Sequence, residues 1–168
     1  MRLLTYNIHK GFSIGNRRFT LETIRHALQR VDADVVFLQE VRGHSDRHPL
    51  PVGPLNTLSG EAAQFEYLAD QLWPHYAYGK NAIYRGGHHG NVILSRYPFV
   101  EWENINVSPH PRASRSLLHG VISPPVFAHR QLKLHLICVH LGLFEAERRS
   151  QLQRLVERIR SHVPDDEP

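Results

Sequence analysis

The chain has 168 residues, 41% of them apolar and 21% charged, a length and balance that fit one folded domain and exclude a disordered polymer. Its 20 Lys+Arg against 16 Asp+Glu leave a net charge of +4, which favours anionic partners without the cation density of a dedicated nucleic-acid arm. Apolar runs are far too short for a membrane span or a secretory signal, and the one cysteine, Cys138, cannot form an internal disulfide, so a cytoplasmic, reducing location is expected.

Leu3, Leu4 and Tyr6 predict a strand over Arg2 to Asn7, closed by the polar turn Asn7-Ile8-His9-Lys10-Gly11. Thr20 is positioned to cap a helix whose apolar residues Leu21, Ile24, Leu28 and Val31 share one face, and Asp32-Ala33-Asp34 breaks it. Val35 to Leu38 is a continuous apolar run, the pattern of a strand buried on both faces, with Gln39-Glu40 at its C-terminal end. Strand, helix and strand in this order predict a βαβ unit with parallel strands.

From Arg42 to Gly60 the proline and glycine signals predict a long loop. Ala62, Phe65, Leu68, Ala69 and Leu72 predict a helix over Glu61 to Trp73, stopped by Pro74. Five β-like runs follow: Tyr76 to Tyr84, Asn91 to Leu94, Phe99 to Val107, Ser116 to Ile122 and Leu132 to His140. Their close spacing predicts antiparallel pairing. Glu145 to Val163 is an amphipathic helix with Leu152, Leu155, Val156, Ile159 and Val163 along one side, and residues 164–168 form a turn. Such a helix is expected to lie on a sheet, with another strand as the next element.

Asn7, Glu40 and His140 each fall at the C-terminal end of a predicted strand, where open α/β sheets place their ligands. A carboxylate such as Glu40 is a hard oxygen ligand suited to Mg²⁺, Asn7 can orient water or a phosphate oxygen, and His140 can donate to a phosphoryl oxygen as charge develops. Taken singly, each also reads as a polar strand end meeting solvent. Lys10, Asn91 and Arg115, with the His88-His89 pair, are further donors that could face an anion, or solvated surface groups.

Thirteen histidines raise the question of zinc. His135 and His140 are five apart in one strand and so face opposite ways, while His44 and His48 sit in the proline-rich segment with no His-Glu-x-x-His or partner cysteine. Cys138 lies in an apolar run and reads as a small buried hydrophobe. No Gly-x-Ser-x-Gly elbow, P-loop or Gly-x-Gly-x-x-Gly is present. Tyr76, Tyr78 and Tyr84 interleave with Lys80 and Arg85, a pattern shared by nucleic-acid surfaces and by ordinary strand packing.

Four stretches in order, Leu3-Leu4-Thr5-Tyr6-Asn7-Ile8-His9-Lys10-Gly11, Asp34-Val35-Val36-Phe37-Leu38-Gln39-Glu40-Val41, Gly90-Asn91-Val92-Ile93-Leu94-Ser95-Arg96-Tyr97-Pro98 and Cys138-Val139-His140-Leu141-Gly142, resemble the endonuclease/exonuclease/phosphatase superfamily. The resemblance implies an α/β (α+β) fold, a four-layer α/β/β/α sandwich of two mostly antiparallel mixed sheets flanked by helices. It implies hydrolysis of a phosphoester assisted by Mg²⁺, with Mn²⁺ as the alternative ion, by in-line attack of water. Glu40 matches the family's metal-binding glutamate, Asn7 the asparagine near metal and scissile phosphate, and His140 the histidine that stabilises phosphoryl charge.

The family's Gly-Asp-Phe-Asn strand and terminal Ser-Asp-His have no counterpart among these residues. The resemblance therefore implies a single domain over residues 1–168 matching the N-terminal two-thirds of a small bacterial member, with an incomplete sandwich. Such a fragment is expected to lack turnover and to associate through an exposed edge. Its substrate class would be a phosphoester of nucleic acid, a phospholipid head group or an inositol phosphate. A non-enzymatic anion- or partner-binding remnant and a zinc-dependent hydrolase are the competing readings.

Overall fold

The protein is described by a computed structural model over residues 1–13, 18, 20–45, 63–69, 72–109, 114–125 and 132–168. In chain order the elements are β1 (Leu3–Asn7), a 3₁₀ turn (His9–Gly11), α1 (Leu21–Val31), β2 (Val35–Ser45), α2 (Gln64–Ala69), β3 (His75–Tyr84), β4 (Gly87–Ser95), β5 (Phe99–Asn106), β6 (Ser116–Ile122), β7 (Leu134–Val139) and α3 (Glu145–His162). One sheet has the order β1-β2-β4-β3 and the other β5-β6-β7. β1 and β2 run parallel, as the βαβ pattern requires, and every other pairing is antiparallel.

The period of two along β2 and β4 divides the core. Val36, Leu38, Val92 and Leu94 turn toward Leu21, Ile24 and Leu28 of α1 and toward Phe65 and Leu68 of α2. Val35 and Ile93 turn the other way, onto Leu118, Ile122, Leu136 and Cys138 of the second sheet. Both central strands are thus apolar on both faces, which is why the sequence shows unbroken apolar runs there. α1 ends where Asp32 adopts a left-handed conformation (φ 53°). Its neighbour Asp34 accepts the Arg2 amide at 2.6 Å and pairs with Arg96, tying β1 and β2 to the end of β4.

Two expected boundaries are corrected. β2 does not end at Leu38; it runs on to Ser45, so Arg42 to Ser45 is strand, and Glu40 lies within the strand and not at its end. The reason is on β4, which starts at Gly87 and offers Gly90, His89, His88 and Gly87 as partners to Val41, Arg42, His44 and Ser45. The helix expected over Glu61 to Trp73 is α2, Gln64 to Ala69. Trp73 lies beyond it, buried, its indole donating to the Ala33 carbonyl at 2.9 Å. The remaining residues of the expected loop and of that helix's flanks, 46–62 and 70–71, lie outside the described residues.

α3 forms where expected, but most of its apolar stripe does not face the sheet; Leu155 and Val163 are half-buried. Leu152, Val156 and Ile159 are 45%, 43% and 42% exposed. The face toward the protein is largely polar, with Leu155 half-buried in it: Gln151 is buried and accepts the Gly142 amide at 2.8 Å, Arg154 donates to the Asn106 carbonyl, and Arg158 donates to His119 at 2.9 Å and pairs with Glu103 at 2.8 Å. Ion pairs and hydrogen bonds to β5 and β6 thus hold this helix where an apolar seam was expected. Residues 164–168 form the expected turn, closed by the Glu167 amide on the Pro164 carbonyl. There Glu167 accepts from His135, and the His135 amide donates to the Pro168 carbonyl.

Gly90 sits where β4 closely approaches β3. A Cβ placed there would overlap the carbonyl oxygen of Gly79, a backbone atom that cannot step aside without parting the strands. Gly90→Ala is therefore expected to lower stability by about 1–3 kcal/mol, the usual cost of overpacking. Chemical denaturation reads this directly, and an unchanged midpoint would count against the close approach.

Candidate active site

The site begins with a bulge. Between Leu38, paired with Val92, and Val41, paired with Gly90, β2 spends two residues against the single residue Asn91. The extra residue is absorbed at Glu40, whose φ of 56° is left-handed. β1 runs parallel alongside and its last pair is Asn7 with Gln39, which sets Asn7 beside the bulge. The chain then turns sharply: His9, Lys10 and Gly11 all have positive φ, at 48°, 59° and 80°. Such a conformation costs an L-residue about 1–2 kcal/mol, so the turn must be held by bonds from outside it.

Those bonds converge on Glu40. The Asn7 amide donates to its Oε1 at 3.3 Å, while Asn7 Oδ1 accepts the His9 amide at 2.9 Å, which fixes which way the Asn7 side chain faces. His9 Nδ1 and Lys10 Nζ lie 3.4 and 3.8 Å from Glu40 Oε2, and His140 Nε2 lies 3.8 Å from Oε1. Asn7, Glu40 and His140, far apart in sequence, are thus neighbours in space. The last contact is too long for a hydrogen bond but close enough for a strong electrostatic influence.

The charges follow from this crowd. Burial alone would push the Glu40 carboxyl up, but the Asn7 hydrogen bond and the neighbouring Lys10, His140 and His9 outweigh it and hold the group below its ordinary range, ionised at neutral pH. His140 is lowered by burial and by the Arg115 guanidinium, so at neutral pH it is a neutral ring able to donate one hydrogen bond. His89 is pushed down to about 4 by burial and by Lys10, with His140 and Arg115 adding to the effect against the pull of Glu40. Its Nδ1 is buried without a partner, as is Arg115 Nε.

The other expected residues divide. Lys10 and Arg115 bring positive charge to the site. Asn91 is fully buried between the sheets, and its amide donates at 3.1 Å to the Ser116 carbonyl, so the group that would bind a phosphate is already committed to the fold. Of the His88-His89 pair, His89 is coupled to the site, and His88 bonds the Tyr78 hydroxyl at 2.8 Å. His135 is elsewhere, between His119 and Glu167. Cys138 is buried, and desolvation pushes its thiol up to about 12, which leaves it unreactive. His9 was not singled out by sequence reasoning, although the turn that carries it was visible, whereas His89 was named with His88 as a possible donor to an anion.

Among the described residues no group of three or more His, Cys, Asp or Glu is arranged to hold a metal ion, so the zinc reading finds no centre there. One ionised carboxylate beside an amide does fit a hard divalent ion such as Mg²⁺, which takes one or two protein carboxylates and leaves its other positions to water and phosphate. His9 and Lys10 compete for Glu40 Oε2, so such an ion would be held weakly.

His89 and His119 are both pushed down to about 4, in each case chiefly by burial. Their unfolded values lie near 6.5, so the unfolded chain binds more protons between these limits, and stability is full above about pH 6.5 and lost as pH falls toward 4. Thermal unfolding across that range is expected to show a shallower loss in His89→Gln and in His119→Gln. Slopes equal to that of the parent protein would show that neither ring is held neutral.

A sequence profile of the endonuclease/exonuclease/phosphatase family matches residues 4–168. The YbhP proteins of Escherichia coli K12 and Shigella flexneri are each 46% identical over 167 residues, 99% of this chain and 63% of theirs. The chain therefore spans less than two-thirds of the length of these relatives. A crystal structure of an endonuclease/exonuclease/phosphatase from Beutenbergia cavernae superposes with a TM-score of 0.70 at 23% identity, covering 97% of this chain and 44% of that one. Humanized Danio rerio TDP2 gives 0.61 at 20% identity over 96% and 57%. D. rerio TDP2 complexed with a single-strand DNA product gives 0.53 at 21% identity over 88% and 49%.

Proposed function

Because this chain belongs to the endonuclease/exonuclease/phosphatase family, we propose that the cluster around Glu40 is the metal-holding and charge-stabilising part of a Mg²⁺-dependent phosphoester hydrolase. The observation that carries the reading is the meeting of Asn7 at the end of β1, Glu40 at the bulge of β2 and His140 just after β7. A bound Mg²⁺, or Mn²⁺ in its place, would polarise a phosphoryl oxygen as a Lewis acid.

Glu40 supplies the anionic oxygen that holds the ion, and it is ionised at neutral pH because its neighbours are donors and cations. Asn7 keeps that carboxylate oriented through its amide and is itself oriented by the His9 backbone. Neutral His140 donates a hydrogen bond toward phosphoryl oxygen, where charge grows during hydrolysis. Lys10 and Arg115 add fixed positive charge for the substrate phosphate. The substrate class is a phosphoester; nucleic acid comes first to test, since one fold neighbour was solved with a DNA product, ahead of phospholipid head groups and inositol phosphates.

Residues 1–168 alone are expected to bind the ion weakly and to turn over bis(4-nitrophenyl) phosphate below detection. The site is therefore read by binding. Dilute Mn²⁺ is expected to broaden the nuclear magnetic resonance signals of Asn7, Glu40 and His140 and to leave those of His119 and His135 sharp; Glu40→Gln should abolish the effect. Broadening that survives Glu40→Gln, or that centres on His119, would sink the assignment.

A further inference from the structure

Gln64, the first residue of α2, is 4% exposed, an uncommon position for a glutamine, and both ends of its amide are used. Its Oε1 accepts the Arg42 backbone amide at 2.9 Å, and its Nε2 donates to the Lys10 carbonyl at 2.9 Å. Arg42 lies two residues past the bulge at Glu40, and Lys10 is the middle of the left-handed turn. One side chain thus joins two backbone segments that hold non-glycine residues at positive φ, and these same segments carry Lys10 and Glu40 to within 3.8 Å of each other.

The remaining bonds to the turn cannot replace it. Within the turn, Gly11 donates to the Ile8 carbonyl and Phe12 to the His9 carbonyl; from outside, Thr20 donates to the Gly11 carbonyl and Ile8 to the Gln39 carbonyl. None of these bonds reaches the Lys10 carbonyl. That carbonyl is met by Gln64, and the Lys10 side chain leaves from the same residue. A carboxylate in place of the amide would repel the Lys10 carbonyl while still accepting from Arg42, and an apolar chain of equal length would lose both bonds.

We propose that Gln64 is a positioning residue of the site, clamping the Lys10 turn to the Glu40 bulge so that Lys10 stands over the position of the substrate phosphate. The assignment of a phosphate there rests on the hydrolase reading above; the clamp rests on the bond pattern alone. Gln64 acts through Lys10 and touches no reacting atom.

Amide hydrogen exchange on the whole chain tests the clamp. In Gln64→Met the Gly11 and Arg42 amides are expected to exchange at least about tenfold faster, while β6 amides keep their protection. In Gln64→Glu only Gly11 should lose protection, because Arg42 keeps its acceptor. Unchanged protection of Gly11 in Gln64→Met, or equal loss throughout the molecule, would overturn the proposal.

A double-mutant cycle tests the link to Lys10. With Mg²⁺ present, affinity for inorganic phosphate is expected to fall about tenfold in Lys10→Met and in Gln64→Met, and no further in the double variant. Fully additive losses would overturn the claim that Gln64 acts through Lys10. If the parent chain binds no phosphate, the hydrolase reading fails, and the exchange measurements still decide whether Gln64 holds the turn.

Discussion

Everything in the site depends on where one extra residue is stored. A regular β2 would send alternate side chains to opposite faces throughout, and with both faces committed to core there would be no room for a carboxylate. The bulge at Gln39–Glu40 breaks that alternation, and the left-handed Glu40 takes up the surplus residue. Gln39 then remains buried, its amide reaching Thr5 at 3.2 Å and Cys138 at 3.4 Å, while Glu40 comes out of the core into the company of Asn7, His9, Lys10 and His140. The site is a consequence of strand register.

The same irregularity spreads to the neighbouring strands. β3 also carries an extra residue, Asn81, against β4, so the Gly90–His89 stretch is flanked by bulges on both sides. Gly90 permits the close approach this requires. Asn91, opposite the Glu40 bulge, crosses the gap between the sheets to the Ser116 carbonyl, which fixes the second sheet, and with it His140 after β7, relative to Glu40. Geometry around Glu40 is therefore set by buried amides, Gln39, Gln64 and Asn91, each bonded to groups in other strands or turns.

Much of this was legible in the sequence. The apolar run Val35 to Leu38 and the helix after Thr20 gave the parallel β1–β2 pair, and the later runs gave the antiparallel strands, because hydrophobic periodicity reports directly on which face is buried. Asn7, Glu40 and His140 could be singled out as polar residues ending or following such runs. The bulge could not, since strand pairing past Leu38 depends on a partner some fifty residues away and leaves no local periodic signal. Gln64 was invisible for a similar reason: a single glutamine at a helix start has nothing to distinguish it until its two backbone partners are known. The stripe on α3 misled because periodicity shows that a helix has an apolar side, not that this side is the one turned inward.

The polar seam beneath α3 gives one layer of the molecule a different physical character from the rest. Inter-sheet contacts are apolar packing and uncharged amide bonds, indifferent to salt, whereas this helix is fastened largely by the guanidinium groups of Arg154 and Arg158 against β5 and β6. Glu103, the carboxylate partner of Arg158, is 60% exposed, so added electrolyte reaches that pair readily; at physiological ionic strength the screening length is already about 8 Å. Ionic strength is therefore a handle on this layer: raising it loosens the outer helix more than the apolar core between the sheets, so the molecule can breathe at one face without opening its core.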